Sequence, residues 1–177
     1  MGDNGAMPKV IVIIAGPTGA GKTRLTHRLA AEMGWVPLDN DEITESLASV
    51  ALTALGQPAD DRTSATYLEK VQPAKYDTLW QAAMRVAEAG HVAVIAAPFI
   101  TQLSDPATVA RIEAGCKKRG IRIAGIWLDR GEPMPASFPR WMHELDNSAD
   151  RPSHNVVMEA REMLSPEIGW HVPAGKF

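Results

Sequence analysis

Two hydrophobic periods alternate along the chain. Val10-Ile11-Val12-Ile13-Ile14-Ala15 is a near-continuous β-branched run without polar alternation, and it predicts a central parallel strand covered on both faces. From about Gly21 to Met33 the apolar positions Leu25, Leu29, Ala30 and Met33 fall at helical spacing, and Gly34 supplies the stop. A short strand, Trp35 to Leu38, runs into Asp39-Asn40-Asp41-Glu42, where Asp39 or Asn40 caps a helix reaching about Leu55, before Gly56-Gln57-Pro58. Between Ala65 and Ala89, Leu68, Val71, Tyr76, Leu79, Trp80, Ala83, Val86 and Ala87 share one side. This is a long amphipathic helix with an interruption near Pro73. His91 to Ala97 is a buried strand closed by Pro98, Asp105 to Arg119 a helix ended by Gly120, and Ile121 to Leu128 a fourth strand.

The pattern changes at residue 130. Pro133, Pro135, Pro139 and Pro152 exclude one uninterrupted helix over residues 130–152, which read as a mobile or irregular proline-rich lid. A short helix from Val156 to Leu164 and a last strand around Ile168 to Val172 complete the expectation. Strand and helix in alternation predict an α/β fold with a doubly wound, mostly parallel sheet. A length of 177 residues suits one domain, taken as 9–177, with residues 1–8 as a disordered lead-in.

Gly16-Pro17-Thr18-Gly19-Ala20-Gly21-Lys22-Thr23 joins the first strand to the first helix and matches G-x-x-x-x-G-K-[ST] at every fixed position. Its glycines let the backbone turn tightly with N–H groups inward, and the helix adds the positive end of its dipole where a polyphosphate sits. Gly16, Pro17, Thr18, Gly19, Ala20, Gly21, Lys22 and Thr23 are therefore the expected nucleotide-binding set. Lys22 reaches the β- and γ-phosphates, and the Thr23 hydroxyl ligates Mg²⁺.

The acidic cluster after the second strand is the next informative feature. Ligands of open α/β sheets bind outside the carboxyl ends of strands, so carboxylates there take a proton from an attacking hydroxyl or hold Mg²⁺. Read without the loop, the same residues are a helix cap with favourable charge at a helix N-terminus. If the second strand neighbours the first, they face the γ-phosphate.

Leu38-Asp39-Asn40-Asp41 resembles the L-D-G-D segment of adenylylsulfate kinases, and related segments occur in gluconate kinases, chloramphenicol phosphotransferase and the zeta-toxin kinases. Gly90 to Phe99 resembles the glycine, apolar strand and D-A-P-F loop of members of that group, and Ile126-Trp127-Leu128-Asp129 the strand leading into an arginine-bearing lid. The resemblance spans about Lys9 to Asp129. It implies a small P-loop kinase, nucleoside-monophosphate-kinase-like in fold, in which an aspartate at this place activates the acceptor hydroxyl. The chain departs from the group in three ways. Ala96 stands where an acid often ends the third strand, so Asp39 or Asp41 would serve the metal through water. Thr44 replaces the arginine of the adenylylsulfate enzymes, and the proline-broken lid aligns no arginine.

Together these features predict an ATP- and Mg²⁺-dependent phosphotransferase that moves the γ-phosphoryl group to a hydroxyl of a small molecule. Lys22 holds the phosphates, Thr23 and Asp39 serve the metal, and Asp41, then Asp39, is the choice for acceptor base. A lid arginine completes the charge clamp, with Arg140 chosen among Arg130, Arg140 and Arg151. The acceptor pocket is expected between residues 41–70 and the loop after Pro98, with Phe99 and Tyr67 as walls. Trp141 either packs the lid or stacks on a ligand. An isopentenyltransferase acting on an adenine nucleotide is an alternative because its loop reads similarly, and a non-catalytic nucleotide-binding module is another because of Ala96.

Composition narrows the partners. The net charge is -3, and no basic block exceeds Lys117-Lys118-Arg119, so no nucleic-acid partner is indicated. The single Cys116 excludes an intrachain disulfide, and the five histidines show no zinc spacing. No apolar run approaches the ~20 residues that span a bilayer, so a cytoplasmic protein without membrane contact is expected. Acceptor identity, oligomeric state and the choice of ATP over GTP are not set by these residues.

Overall fold

In the computed structural model, which describes residues 8–148 and 153–168, the first apolar run forms β1 (Val10–Ala15), buried along its whole length. A five-stranded parallel sheet is built around it in the order β2-β3-β1-β4-β5, with β2 at Val36–Asp39, β3 at Val92–Ala96, β4 at Arg122–Asp129 and β5 at Met142–Asp146. Strand side chains alternate between faces, so β1 feeds two cores. Val10, Val12 and Ile14 meet Leu25 and Leu29 of α1 (Lys22–Met33) and Val157 and Leu164 of α6 (Ser153–Ile168). Ile11 and Ile13 meet Leu79 and Ala83 of α3 (Gln72–Glu88), and Cys116 of α5 (Pro106–Lys118) lies in the same cluster. Helices on both faces explain why β1 carries no polar position.

The remaining helices serve the carboxyl edge of the sheet. Asp39 caps α2 (Asn40–Ala54), its side chain accepting from the backbone N–H groups of Asp41 and Glu42. The long amphipathic stretch is a π-helical turn over Tyr67–Val71 followed by α3, and Pro73 sits in the first turn of α3. A proline is tolerated there because that N–H has no intrahelical partner in an isolated helix. A short α4 (Ile100–Ser104) precedes α5, whose N-cap is Asp105. Among the described residues no helix is long and apolar enough to cross a membrane.

Three expectations need correction. β2 pairs with β3 and not with β1, so the acidic cluster reaches the P-loop from two strands away. Residues 130–152 are not simply an irregular cover, because β5 joins the sheet beside β4. Phe138 is buried with its ring edge-on to Trp127 at 5.4 Å, and the Trp127 indole N–H donates to the Glu132 carbonyl at 2.8 Å. Gly125 makes room for this arrangement, since a Cβ there would collide with the Met142 sulfur. Third, α6 runs through Ile168, where the last strand was expected to begin; residues 169–172 of that strand, most of the lead-in and Arg151 lie outside the described residues.

Candidate active site

The P-loop leaves β1 at Gly16, whose φ is 146° and whose missing side chain matters for packing as well. A Cβ there would lie 2.8 Å from the Leu128 carbonyl oxygen of β4, so only glycine lets the loop start against that strand. Gly21, at φ 89°, is the N-cap of α1 and offers no side-chain acceptor to the first turn. The orphan N–H groups of that turn therefore remain for an anionic ligand. The Lys22 ammonium donates to the carbonyls of Gly16 at 3.0 Å and Pro17 at 2.8 Å, folding back over the loop. Burial lowers its pKa, and the charges of Asp39 and Asp41 oppose that shift. Asn147, at the end of β5, buttresses the loop from behind by donating to the Ala20 carbonyl at 2.6 Å.

Asp39 reaches the loop because its neighbour is small. It stands opposite Ala96 in the β2–β3 register, and Ala96 is in turn opposite Ile14 of β1. With a methyl group between them, the Thr23 hydroxyl donates to Asp39 Oδ2 at 2.7 Å. Oδ1 of the same carboxylate takes the N–H groups of Asp41 at 2.9 Å and Glu42 at 3.4 Å. Both oxygens are thus committed, and the carboxylate joins the P-loop helix to the start of α2.

A cavity of about 370 Å³ opens over these groups, lined by Thr18 to Thr23 of the loop except Ala20, and by Arg24, Asp39, Asp41, Ala96, Ala97 and Pro98. A second, of about 390 Å³, shares Asp41 and Pro98 with it and continues over Glu45, Arg62, Tyr67, Gln72, Lys75 and Tyr76. Asp41 is 73% exposed at this boundary, whereas Lys75, only 4% exposed, donates to Asp41 Oδ1 and to Glu45 Oε2, both at 2.9 Å. Burial works to lower the Lys75 pKa, yet the bonds to the two carboxylates outweigh it and hold the ammonium above its usual value. Those same bonds, with one from Arg62, hold the Glu45 carboxyl low.

The expected site residues divide clearly. Thr18, Gly19, Gly21, Lys22 and Thr23, together with Asp39 and Asp41, line the first cavity, Gly16, Pro17 and Ala20 belong to the same loop but are not in its lining, and Tyr67 lines the second. Phe99 lines neither of these two cavities. It is buried at φ 57° behind Tyr76, edge-on at 5.4 Å, and its N–H donates to the Tyr76 hydroxyl at 3.4 Å. Arg140 is exposed in the turn before β5 and lines neither cavity, whereas Arg130 donates to the Gly19 carbonyl at 2.5 Å. Between the two arginines, Met134 and Phe138 pack in the core on the other face of the sheet from α1. Trp141 packs against that core and donates to Glu113 of α5 at 2.8 Å, and it does not line the P-loop cavity. Among the described residues no group of three His, Cys, Asp or Glu side chains could hold a metal.

Lys75, Glu45, Arg62 and Asn147 were not anticipated. The signal for Lys75 was present: it continues the buried stripe Lys75, Leu79, Ala83 and Ala87 of α3, and a charge in register with an apolar stripe needs a partner.

A parallel sheet whose central strand ends in a phosphate loop, with acids from an outer strand beside it, defines a P-loop nucleotide-binding fold of the kinase type. The AAA domain family matches residues 11–133, and the chain belongs to it. Over 73 residues it is 33% identical to a cytidylate kinase of Bordetella pertussis, covering 41% of this chain and 31% of that enzyme. Among solved structures it is similar to the APS kinase of Mycobacterium tuberculosis, with 19% identity, 88% and 96% of the two chains covered and a TM-score of 0.56. The thymidylate kinase of Ehrlichia chaffeensis gives 12% identity, 89% and 99% coverage and a TM-score of 0.57. A gluconokinase of Sinorhizobium meliloti gives 12%, 89% and 93%, and 0.53. These likenesses place the fold among small P-loop kinases.

Proposed function

We propose that this protein is an ATP- and Mg²⁺-dependent phosphotransferase that moves the γ-phosphoryl group to a hydroxyl of a small molecule. The observation that carries the reading is Asp41 on the wall common to two adjoining cavities, one over the phosphate loop and one beyond it. The residues suit both groups that the reaction needs. The uncapped first turn of α1 and the Lys22 ammonium suit a triphosphate. The Thr23 hydroxyl and Asp39 carboxylate are hard oxygen donors of the kind Mg²⁺ takes in ones and twos, filling its shell with water and phosphate. Bound there, the metal neutralises charge on the phosphate oxygens.

Asp39 has both oxygens engaged, so it serves Thr23 and the helix start and leaves the base role to Asp41. The acceptor hydroxyl loses its proton to Asp41 as its oxygen attacks the γ-phosphorus, and the bridging bond to the β-phosphate breaks with ADP leaving. Lys75 positions Asp41 through Oδ1. Arg130, already at the Gly19 carbonyl, is the arginine best sited to turn toward the transferring group, and it replaces Arg140 in this role.

The test is a coupled ADP-release assay over a panel of hydroxyl compounds, with nucleotide affinity measured separately by calorimetry. Lys22→Ala is expected to abolish transfer. Asp41→Asn should keep ATP affinity within about twofold while transfer falls by about 10²–10⁴, the usual worth of a general base. Full activity in Asp41→Asn refutes the assignment.

A further inference from the structure

Among the described residues the second cavity is lined by four charged side chains, two cations and two carboxylates, and they cancel. Lys75 is bound to Asp41 and Glu45. Arg62 pairs with the other oxygen of Glu45, donates through its second terminal nitrogen to the carbonyls of Ala59 at 3.1 Å and Asp61 at 2.5 Å, and lies 5.3 Å from the centre of the Tyr67 ring. The rest of the described lining is uncharged: Asn40, Gln72, Pro98 and the two tyrosines. Neither cation is spare. Lys75 is buried and would have to leave two carboxylates to meet a ligand, and an entering anion would meet Asp41 at the boundary with the phosphates just beyond it. Asn40 adds a complementary need, because its Oδ1 is buried without a hydrogen-bond donor among the described residues. A hydroxyl or ammonium group meets that need, so Asn40 calls for a donor on the ligand, while discrimination against anions comes from the paired charges.

From this balance we infer that the acceptor carries no negative charge: it is a neutral or amine-bearing hydroxyl compound, and sugar acids and nucleoside monophosphates are excluded by the pairing of Lys75 and Arg62 with Glu45 and Asp41. The inference rests on the phosphotransferase reading for the word acceptor, but the charge balance of the cavity is testable without turnover. Glu45 is the residue that silences both cations.

The experiment fills the phosphate loop with Mg²⁺ and a non-hydrolysable ATP analogue, then titrates inorganic sulfate by calorimetry. Glu45→Gln, which keeps the side-chain shape and frees cationic charge, should bind sulfate at least tenfold more tightly than any residual binding to loaded wild type, in line with a charge-assisted bond. Arg62→Gln, with one cation fewer, should show no such gain. Sulfate binding to loaded wild type as tight as to Glu45→Gln overturns the inference, and so does a folded Glu45→Gln that gains nothing. In the transfer assay, matched pairs such as cytidine against cytidine monophosphate and glucose or glucosamine against gluconate should favour the uncharged or aminated member. Preference for the anionic member overturns it. Absence of transfer to every compound, with the sulfate results as expected, overturns the phosphotransferase reading and leaves the cavity without an anion site.

Discussion

Glu45 and Lys75 tie their charges to stability in opposite pH ranges. The folded pKa of Glu45 lies below its unfolded value, first because Lys75 and then because Arg62 donates to it. Its contribution is present above the unfolded value and disappears as pH falls through the folded one. The folded pKa of Lys75 lies above its unfolded value, because its two carboxylate bonds outweigh burial. Its contribution is complete below the unfolded value and disappears as pH rises through the folded one. The cluster therefore stabilises the fold between roughly pH 4.5 and 10.5, the ordinary values of the two groups. In thermal melts the gap between wild type and Glu45→Gln should be constant near neutrality and close as pH drops below about 4. A gap that does not narrow at all as pH falls below about 4 would mean that Glu45 acts through packing and not through charge.

At the scale of elements, one carboxylate ties two helices to the same place. Asp39 caps α2 with Oδ1 and takes the Thr23 hydroxyl of α1 with Oδ2, so its two roles separate by substitution. Asparagine is as good an N-cap as aspartate, and Asp39→Asn should melt within about 0.5 kcal/mol of wild type while needing more Mg²⁺ for nucleotide binding. Asp39→Ala loses the cap too, at about 1–2 kcal/mol. Equal Mg²⁺ dependence in wild type and Asp39→Asn would remove Asp39 from the metal site. The cap was legible because an acid stood between an apolar strand and a helical period. β1, β3 and β4 were legible because strands covered on both faces are written as continuous apolar runs. β5 was not: it is an edge strand in which only Met142 and Leu145 are buried, and its polar His143, Glu144 and Asp146 sit among prolines that signal a loop.

The whole molecule decides what no local pattern states, namely that β3 lies between β1 and β2 and that Ala96 leaves the gap through which Asp39 meets Thr23. Strand order is a long-range outcome, so the P-loop could be read from the chain, and Lys75 stood out only as a charge within an apolar stripe, whereas its meeting with Arg62 of the preceding loop in the second cavity could not be read. The same packing provides a probe of the entire fold. Cys116 is buried in the core between the sheet and α3, and burial pushes its thiol up to about 11. The native thiol is thus both shielded and protonated at pH 8, and a thiol reagent should label it only when the core opens. On the proposed reading, nucleotide binds the folded loop and not the unfolded chain, and ATP with Mg²⁺ at 100 times its dissociation constant should then slow labelling by about a hundredfold. This outcome requires no catalysis, so it reports loop occupancy independently of any acceptor. Labelling that is rapid in the native protein, or indifferent to saturating nucleotide, would show that the Cys116 core opens without disturbing the phosphate loop, and that the two faces of the sheet are not one cooperative unit.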